Sequence, residues 1–262
     1  MALREVVVGD KKFNINYEIL NRDKTKNIIF LHGWGSNKEI MKSAFSNIFN
    51  EFRHIYIDMP GFGKSSNSYV LTTKDYAKII DKFLLDLNIK KDIIVGHSFG
   101  GKVATLLNPD LLVLLASAGI VLEKPLNIKI KIKLFKMLKK VGLSKFRNLF
   151  VSEDAKGMSE EMYETFKNVV DEDFSEVFKN YSGKVLIFGG DKDTAVPKEA
   201  LEKQGKLFNR NFIMLSGNHY FFLNNKDNIF INNNSQNYGA FLPSFNFNLY
   251  LLILFILFDA KY

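Results

Sequence analysis

Six short apolar runs, at 27–31, 54–58, 92–95, 111–115, 185–188 and 211–215, constrain the fold of this chain more than any other feature. Each is rich in Ile, Val, Leu or Phe and too short for a helix, the pattern of strands buried on both faces. Segments with helical spacing lie between them. The clearest covers 72–87, where Tyr76, Ile79, Ile80, Phe83, Leu84 and Leu87 fall on one face and Thr72 with Asp75 forms a capping-box pattern. Strands alternating with helices predict an α/β fold, a mostly parallel sheet with helices on both faces, because parallel neighbours need a crossover between them. Two further runs, at 4–8 and 13–20, flank Gly9-Asp10-Lys11-Lys12 and predict a hairpin at a sheet edge.

The interval 122–181 is too long for a simple crossover and reads as an inserted helical subdomain. The expected organisation is therefore a core from 1–121 and 182–230, a helical cap or lid over 122–181, and an atypical tail over 231–262. The two halves of the insertion carry opposite charge: 122–150 holds nine Lys or Arg and one Glu, whereas 151–181 holds nine Asp or Glu and three Lys. Ile128, Ile132, Phe135, Met137 and Leu138 on the first half, and Met158, Met162, Phe166 and Val170 on the second, predict a lid whose apolar sides face the site. A solvated helical hairpin is the alternative, and the Ile/Lys alternation over 129–133 also fits a short strand. The net charge of +8 is thus dominated by one basic segment balanced by its neighbour, which argues against a nucleic-acid partner.

Composition closes off other classes. With 47% hydrophobic and 24% charged residues the chain is neither disordered nor fibrous, and without cysteine it has no disulfide, thiolate metal site or cysteine nucleophile. Residues 1–10 show no basic segment followed by an apolar one, so a cytoplasmic location is expected. In the tail, seven Asn crowd 224–237 before the wholly apolar stretch 249–258. As a helix those ten residues reach only ~15 Å, about half a bilayer core. The tail is read as an atypical C-terminus outside the core, with a weak membrane attachment through 249–258 as the competing reading.

Chemistry concentrates where the apolar runs end. Gly96-His97-Ser98-Phe99-Gly100 follows the run at 92–95 and opens a helical run stopped by Asn108-Pro109. Glycines two before and two after a serine allow a sharp strand-to-helix turn, and the helix N-terminus adds partial positive charge beside its hydroxyl. Leu31-His32-Gly33-Trp34-Gly35-Ser36 and the turn from Asp58 to Ser65 follow two other runs. Gly190-Asp191-Lys192-Asp193 and Ser216-Gly217-Asn218-His219 follow the last two. In open α/β sheets that edge is where ligands bind, so these turns converge on one crevice. Four dispersed histidines without a carboxylate cluster predict no metal, and no cofactor is expected. The turn Gly61-Phe62-Gly63-Lys64-Ser65 lacks the spacing of a phosphate loop.

With these five motifs in this order, the chain resembles the α/β-hydrolase superfamily over roughly 3–223. The resemblance implies an α/β-hydrolase fold in which Ser98 is the nucleophile, His219 the general base and Asp193 the acid that orients it; the Asp-x-x-Val-Pro spacing favours Asp193 over Asp191. It further implies an oxyanion hole from the backbone N–H groups of Trp34 and Phe99. His32 is expected to buttress the turn beside it, Asp58 to form a turn, and His54 to enter a strand. For His97, packing beneath the elbow and a substrate contact both stay open, and Tyr220 is the other candidate contact. The expected activity is cleavage of a carboxylic ester of a small, largely apolar substrate through an acyl-enzyme. Alternatives are a C–C bond hydrolase acting on diketone ring-fission products, a cofactor-free perhydrolase, and a non-catalytic binding protein. Ester cleavage ranks first because His97 and Tyr220 stand where the C–C hydrolases usually carry Asn and Trp.

Overall fold

The computed structural model describes residues 2–123 and 158–224. The expectations for 124–157, including the basic half of the cap and a strand over 129–133, and those for the tail 231–262 with its apolar stretch, lie outside the described residues. Eight strands form one sheet: β1 (Ala2–Val8), β2 (Lys11–Leu20), β3 (Asn27–Leu31), β4 (Arg53–Ile57), β5 (Ile93–His97), β6 (Leu111–Leu115), β7 (Lys184–Gly190) and β8 (Phe212–Leu215). The described helices are α1 (Lys38–Phe45), α2 (Thr73–Asp86), α3 (Phe99–Leu107), α4 (Glu160–Val169), α5 (Ser175–Lys179), α6 (Lys198–Phe208) and α7 (Phe221–Asn224).

The spatial order is β1-β2-β4-β3-β5-β6-β7-β8. β1 and β2 form the edge hairpin, with Val8 opposite Lys11 across a two-residue turn at Gly9-Asp10. β2 pairs antiparallel with β4, and from there to β8 every neighbour is parallel. Strands β3, β5 and β6 are buried along their whole length, which explains why their sequences run apolar without alternation. Each of the six apolar runs is a strand; the runs at 27–31 and 111–115 match their strands at both ends, and the other four are shifted by one or two residues.

Helix α2 begins where its capping box predicts: the Thr72 side chain accepts from the Asp75 N–H and the Asp75 carboxylate accepts from the Thr72 N–H. Its buried face carries Tyr76, Ala77, Ile79, Ile80, Phe83 and Leu84, and Phe83 meets the Tyr17 ring edge-on at 5.0 Å. Helix α4, within the expected cap, starts at Ser159, whose side chain accepts from the Met162 N–H. Met162, Thr165 and Val169 are its buried positions. Val170, expected among the apolar contacts, is instead 50% exposed, because the spacing that buries Met162 and Thr165 brings Val169 to the inner face at the last turn. The short α5 behaves as part of the core: Phe178 is fully buried and its ring lies 4.9 Å from that of Phe208 on α6.

Candidate functional site

Strand β5 delivers the chain directly into the turn at Ser98, which adopts φ 50° and ψ −114°. A non-glycine residue in that region is strained and persists only where its surroundings over-determine it. Here the Ser98 N–H donates to the Leu115 carbonyl at 3.0 Å, and the Ser98 carbonyl accepts from Gly101 at 3.0 Å and from Ala118 at 3.2 Å. The flanking glycines are needed for close approach. A Cβ on Gly96 would come within 2.5 Å of the Gly100 carbonyl oxygen, and one on Gly100 within 2.5 Å of the carbonyl oxygens of Leu31 and His32. The elbow therefore presses against the end of β3, next to the turn that carries Trp34.

That turn is held by His32. The His32 Nε2 accepts from the Met59 N–H at 3.0 Å, so Nδ1 carries the hydrogen and donates to the Gly33 carbonyl at 2.8 Å. Burial pushes His32 down to about 4, keeping the ring neutral. Neither the Trp34 nor the Phe99 backbone N–H donates to another described residue, and Phe99 opens α3, where the helix leaves its first amides unpaired. The Trp34 ring is enclosed by Phe62 at 4.8 Å, Phe99 at 5.5 Å and Phe166 of α4 at 5.4 Å.

The imidazole and the carboxylate come from the last two parallel strands. The His219 Nδ1 lies 2.8 Å from the Asp193 Oδ2, while the Asp193 Oδ1 accepts from the N–H groups of Ala195 at 2.8 Å and Val196 at 2.9 Å. The Asp193 side chain is fully buried, and that of His219 is 22% exposed. Burial works to raise the Asp193 carboxyl, but the hydrogen bond from His219 and the two backbone donors outweigh it and hold it below its ordinary value. Asp191 instead accepts from the Gly217 N–H at 2.8 Å, closing the turn that carries His219. Ser98 and His219 project from the same sheet edge without a hydrogen bond between their side chains among the described residues. Such contacts often tighten only in the substrate complex.

The two candidate substrate contacts differ. His97 is only 1% exposed, and its ring packs beneath the elbow against His219 at 4.6 Å, Tyr220 at 5.0 Å and Phe222 at 4.9 Å. Tyr220 is half-buried beside it. His54 is buried in β4 between the Tyr56 hydroxyl and the Phe49 carbonyl. Among the described residues, no group of three or more His, Asp or Glu is arranged to hold a metal ion. No described helix is long and apolar enough to cross a membrane.

Two buried lysines went unread in the sequence. Lys38 is 1% exposed and bonds Asp58 at 2.9 Å, while Asp58 also accepts the N–H groups of Lys38 at 2.8 Å and Lys64 at 3.0 Å, fixing the turn that places Phe62 on Trp34. Lys102, on the helix that starts at the elbow, donates to the Val169 carbonyl at 2.6 Å and to Glu172 at 3.1 Å, and Glu172 also accepts from Thr73. These bonds tie α4 to α2 and α3. The weak signal for Lys102 was a lone charge in an otherwise apolar helix.

Comparison with known proteins agrees with this architecture. Residues 26–109 match a family model described as alpha/beta hydrolase fold. A pimeloyl-[acyl-carrier protein] methyl ester esterase of Proteus mirabilis is 35% identical over 89 residues, covering 34% of this chain and 33% of that protein. The uncharacterized hydrolase YugF of Bacillus subtilis is 30% identical over 114 residues, covering 40% of this chain and 42% of that protein. The chain thus spans well under half the length of these curated relatives. Among solved structures, an esterase from Exiguobacterium antarcticum superposes with a TM-score of 0.66 at 20% identity, covering 85% of this chain and 94% of that one. A meta-cleavage product hydrolase from Pseudomonas fluorescens gives 0.60 at 20% identity, covering 86% and 93%. From the strand order, the strained serine turn and these matches, the chain has the α/β-hydrolase fold.

Proposed function

We propose that this protein is a serine hydrolase that cleaves a carboxylic ester of a small, largely apolar substrate. The observation that carries the reading is the buried Asp193 bonded at 2.8 Å to the Nδ1 of His219, at the sheet edge where the strained turn presents Ser98. Because Nδ1 donates to the carboxylate, Nε2 is left with its lone pair, the form a general base needs. Ser98 Oγ attacks the ester carbonyl carbon while His219 Nε2 takes its proton. The N–H groups of Trp34 and Phe99 stabilise the oxyanion, a contribution of about 3 kcal/mol per donor in comparable sites. Collapse of the tetrahedral intermediate breaks the carbon–oxygen bond to the alcohol, which leaves with the proton from His219. Water, activated by the same imidazole, then hydrolyses the acyl-enzyme and frees Ser98.

Support for an apolar substrate comes from the Trp34 ring and its enclosure by Phe62, Phe99 and Phe166 beside the expected oxyanion turn. Support for ester cleavage comes from the Proteus mirabilis relative, named as a methyl ester esterase. The test is a series of p-nitrophenyl esters of increasing acyl length alongside a vinylogous diketone, assayed with the wild type and Ser98→Ala. Ester turnover that vanishes in the variant supports the reading. Turnover of the diketone alone would move the assignment to C–C bond cleavage, and equal rates in both proteins would remove Ser98 from the chemistry.

A further inference from the structure

The turn that carries His219 is tied on two sides. From the β7 side, the Asp191 N–H donates to the Leu215 carbonyl at 2.9 Å, the Lys192 N–H to the Gly217 carbonyl at 2.9 Å, and the Gly217 N–H to the Asp191 carboxylate. On the elbow side, His97 Nε2 lies 3.0 Å from the His219 carbonyl oxygen, a contact between residues 122 positions apart. Among the described residues this is the one hydrogen bond joining the serine-bearing segment to the histidine-bearing turn.

We infer that His97 is a positioning residue: its Nε2–H holds the turn of His219 at the distance and angle from which the imidazole serves Ser98. The inference rests on the serine-hydrolase reading and assigns to His97 a task distinct from touching substrate. A carbonyl oxygen only accepts, so the hydrogen of the neutral ring is on Nε2, and Nδ1 keeps a lone pair. That Nδ1 is buried and has no partner. A buried unpartnered polar atom is costly, and an apolar side chain of similar size would avoid the cost. What the apolar side chain would lack is the donor to His219.

The same ring also seats the oxyanion turn. A Cβ on Gly33 would come 2.9 Å from His97 Nδ1 and 3.2 Å from the Ser98 Cβ, so the backbone at Gly33 lies directly on the imidazole. His97 thereby touches the expected oxyanion turn and the turn of the base, and is covalently joined to the nucleophile. Burial, and next the neighbouring His219, push His97 down to about 3, so the ring stays uncharged while His219 accepts the proton of Ser98. A second cation there would oppose that transfer.

The test compares His97→Gln with His97→Met. The two side chains are alike in length and flexibility, but Gln keeps a terminal N–H donor. Hydrolysis of a p-nitrophenyl ester is measured with the intact chain, together with the downfield proton resonance of the His219–Asp193 hydrogen bond. Misplacing a reacting group by about 1 Å costs on the order of 100-fold. His97→Met is therefore expected to lose about 10- to 100-fold in kcat with KM little changed and the resonance retained, and His97→Gln to recover most of the rate. Equal kcat in the two variants would overturn the inference, as would a loss expressed only in KM, which marks a substrate contact. If both variants fail to fold, the role is one of packing and the inference falls. A wild type with no esterase activity would sink the hydrolase reading itself, whereas an active wild type with indistinguishable variants sinks this inference alone.

Discussion

Lowering the pH from 7 to 5 is expected to weaken the fold sharply, through two histidines that are buried and uncharged. Burial holds His32 down to about 4, and burial followed by the charge of His219 holds His97 down to about 3. In the unfolded chain both take up a proton below about 6.5, so between 6.5 and the folded value only the unfolded state is protonated. Their stabilisation is therefore fully present above 6.5 and is lost as the pH falls through that window. At pH 5 each imidazole lies about 1.5 units below its unfolded value, a loss of about 2 kcal/mol apiece and about 4 kcal/mol together. His54, also lowered by burial, works in the same direction. Set against a typical stability of about 5–15 kcal/mol, that is a large fraction. Urea unfolding followed through the single tryptophan, Trp34, provides the assay, since its ring is enclosed by three phenylalanines in the folded state. A loss of less than about 1 kcal/mol between the two pH values, at unchanged denaturant slope, would refute the assignment of both rings as buried and neutral.

The buried lysines give two more tests. Asp58→Ala leaves the 1% exposed Lys38 charge with only Glu39, at 3.2 Å, as its partner and leaves two backbone N–H groups without their acceptor, and is expected to cost about 3 kcal/mol by thermal or urea unfolding; adding Lys38→Met should restore part of it, and a fully additive double variant would speak against the pair. Lys102→Met removes the donor to the Val169 carbonyl and the partner of Glu172, while relieving the desolvation that lowers the Lys102 amine. Global stability should change by no more than about 1–3 kcal/mol, whereas amide exchange in α4 should accelerate; unchanged protection there would show that Lys102 does not anchor the helix.

The sequence made legible whatever was local or periodic. Strands buried on both faces appear as unbroken apolar runs, α2 announces itself through Thr72 and Asp75, and the sharp turn at Ser98 requires its two glycines for reasons visible in five residues. The choice of Asp193 over Asp191 as the partner of His219 followed from spacing, and in the structure Asp191 is occupied with the Gly217 N–H. What stayed hidden depends on partners distant in the chain. Nothing near Lys38 or Lys102 signals that Asp58 lies 20 residues away or Glu172 70 residues away, and lysine is ordinarily a surface residue. The same holds for His97, whose partner is a backbone oxygen 122 positions on. Helical phase in the structure differs from the sequence expectation at Val170, because a one-residue rotation at a helix end reverses which valine is covered.

The central claim is that Ser98 is a nucleophile activated by His219. Reaction of the folded chain with an alkyl fluorophosphonate, followed by peptide mass analysis, tests it most directly. One covalent adduct, on Ser98, is expected to form rapidly in the wild type, to be slowed by orders of magnitude in His219→Ala and to be absent from Ser98→Ala. A folded wild type that remains unlabelled, or an adduct on any other residue, would contradict it.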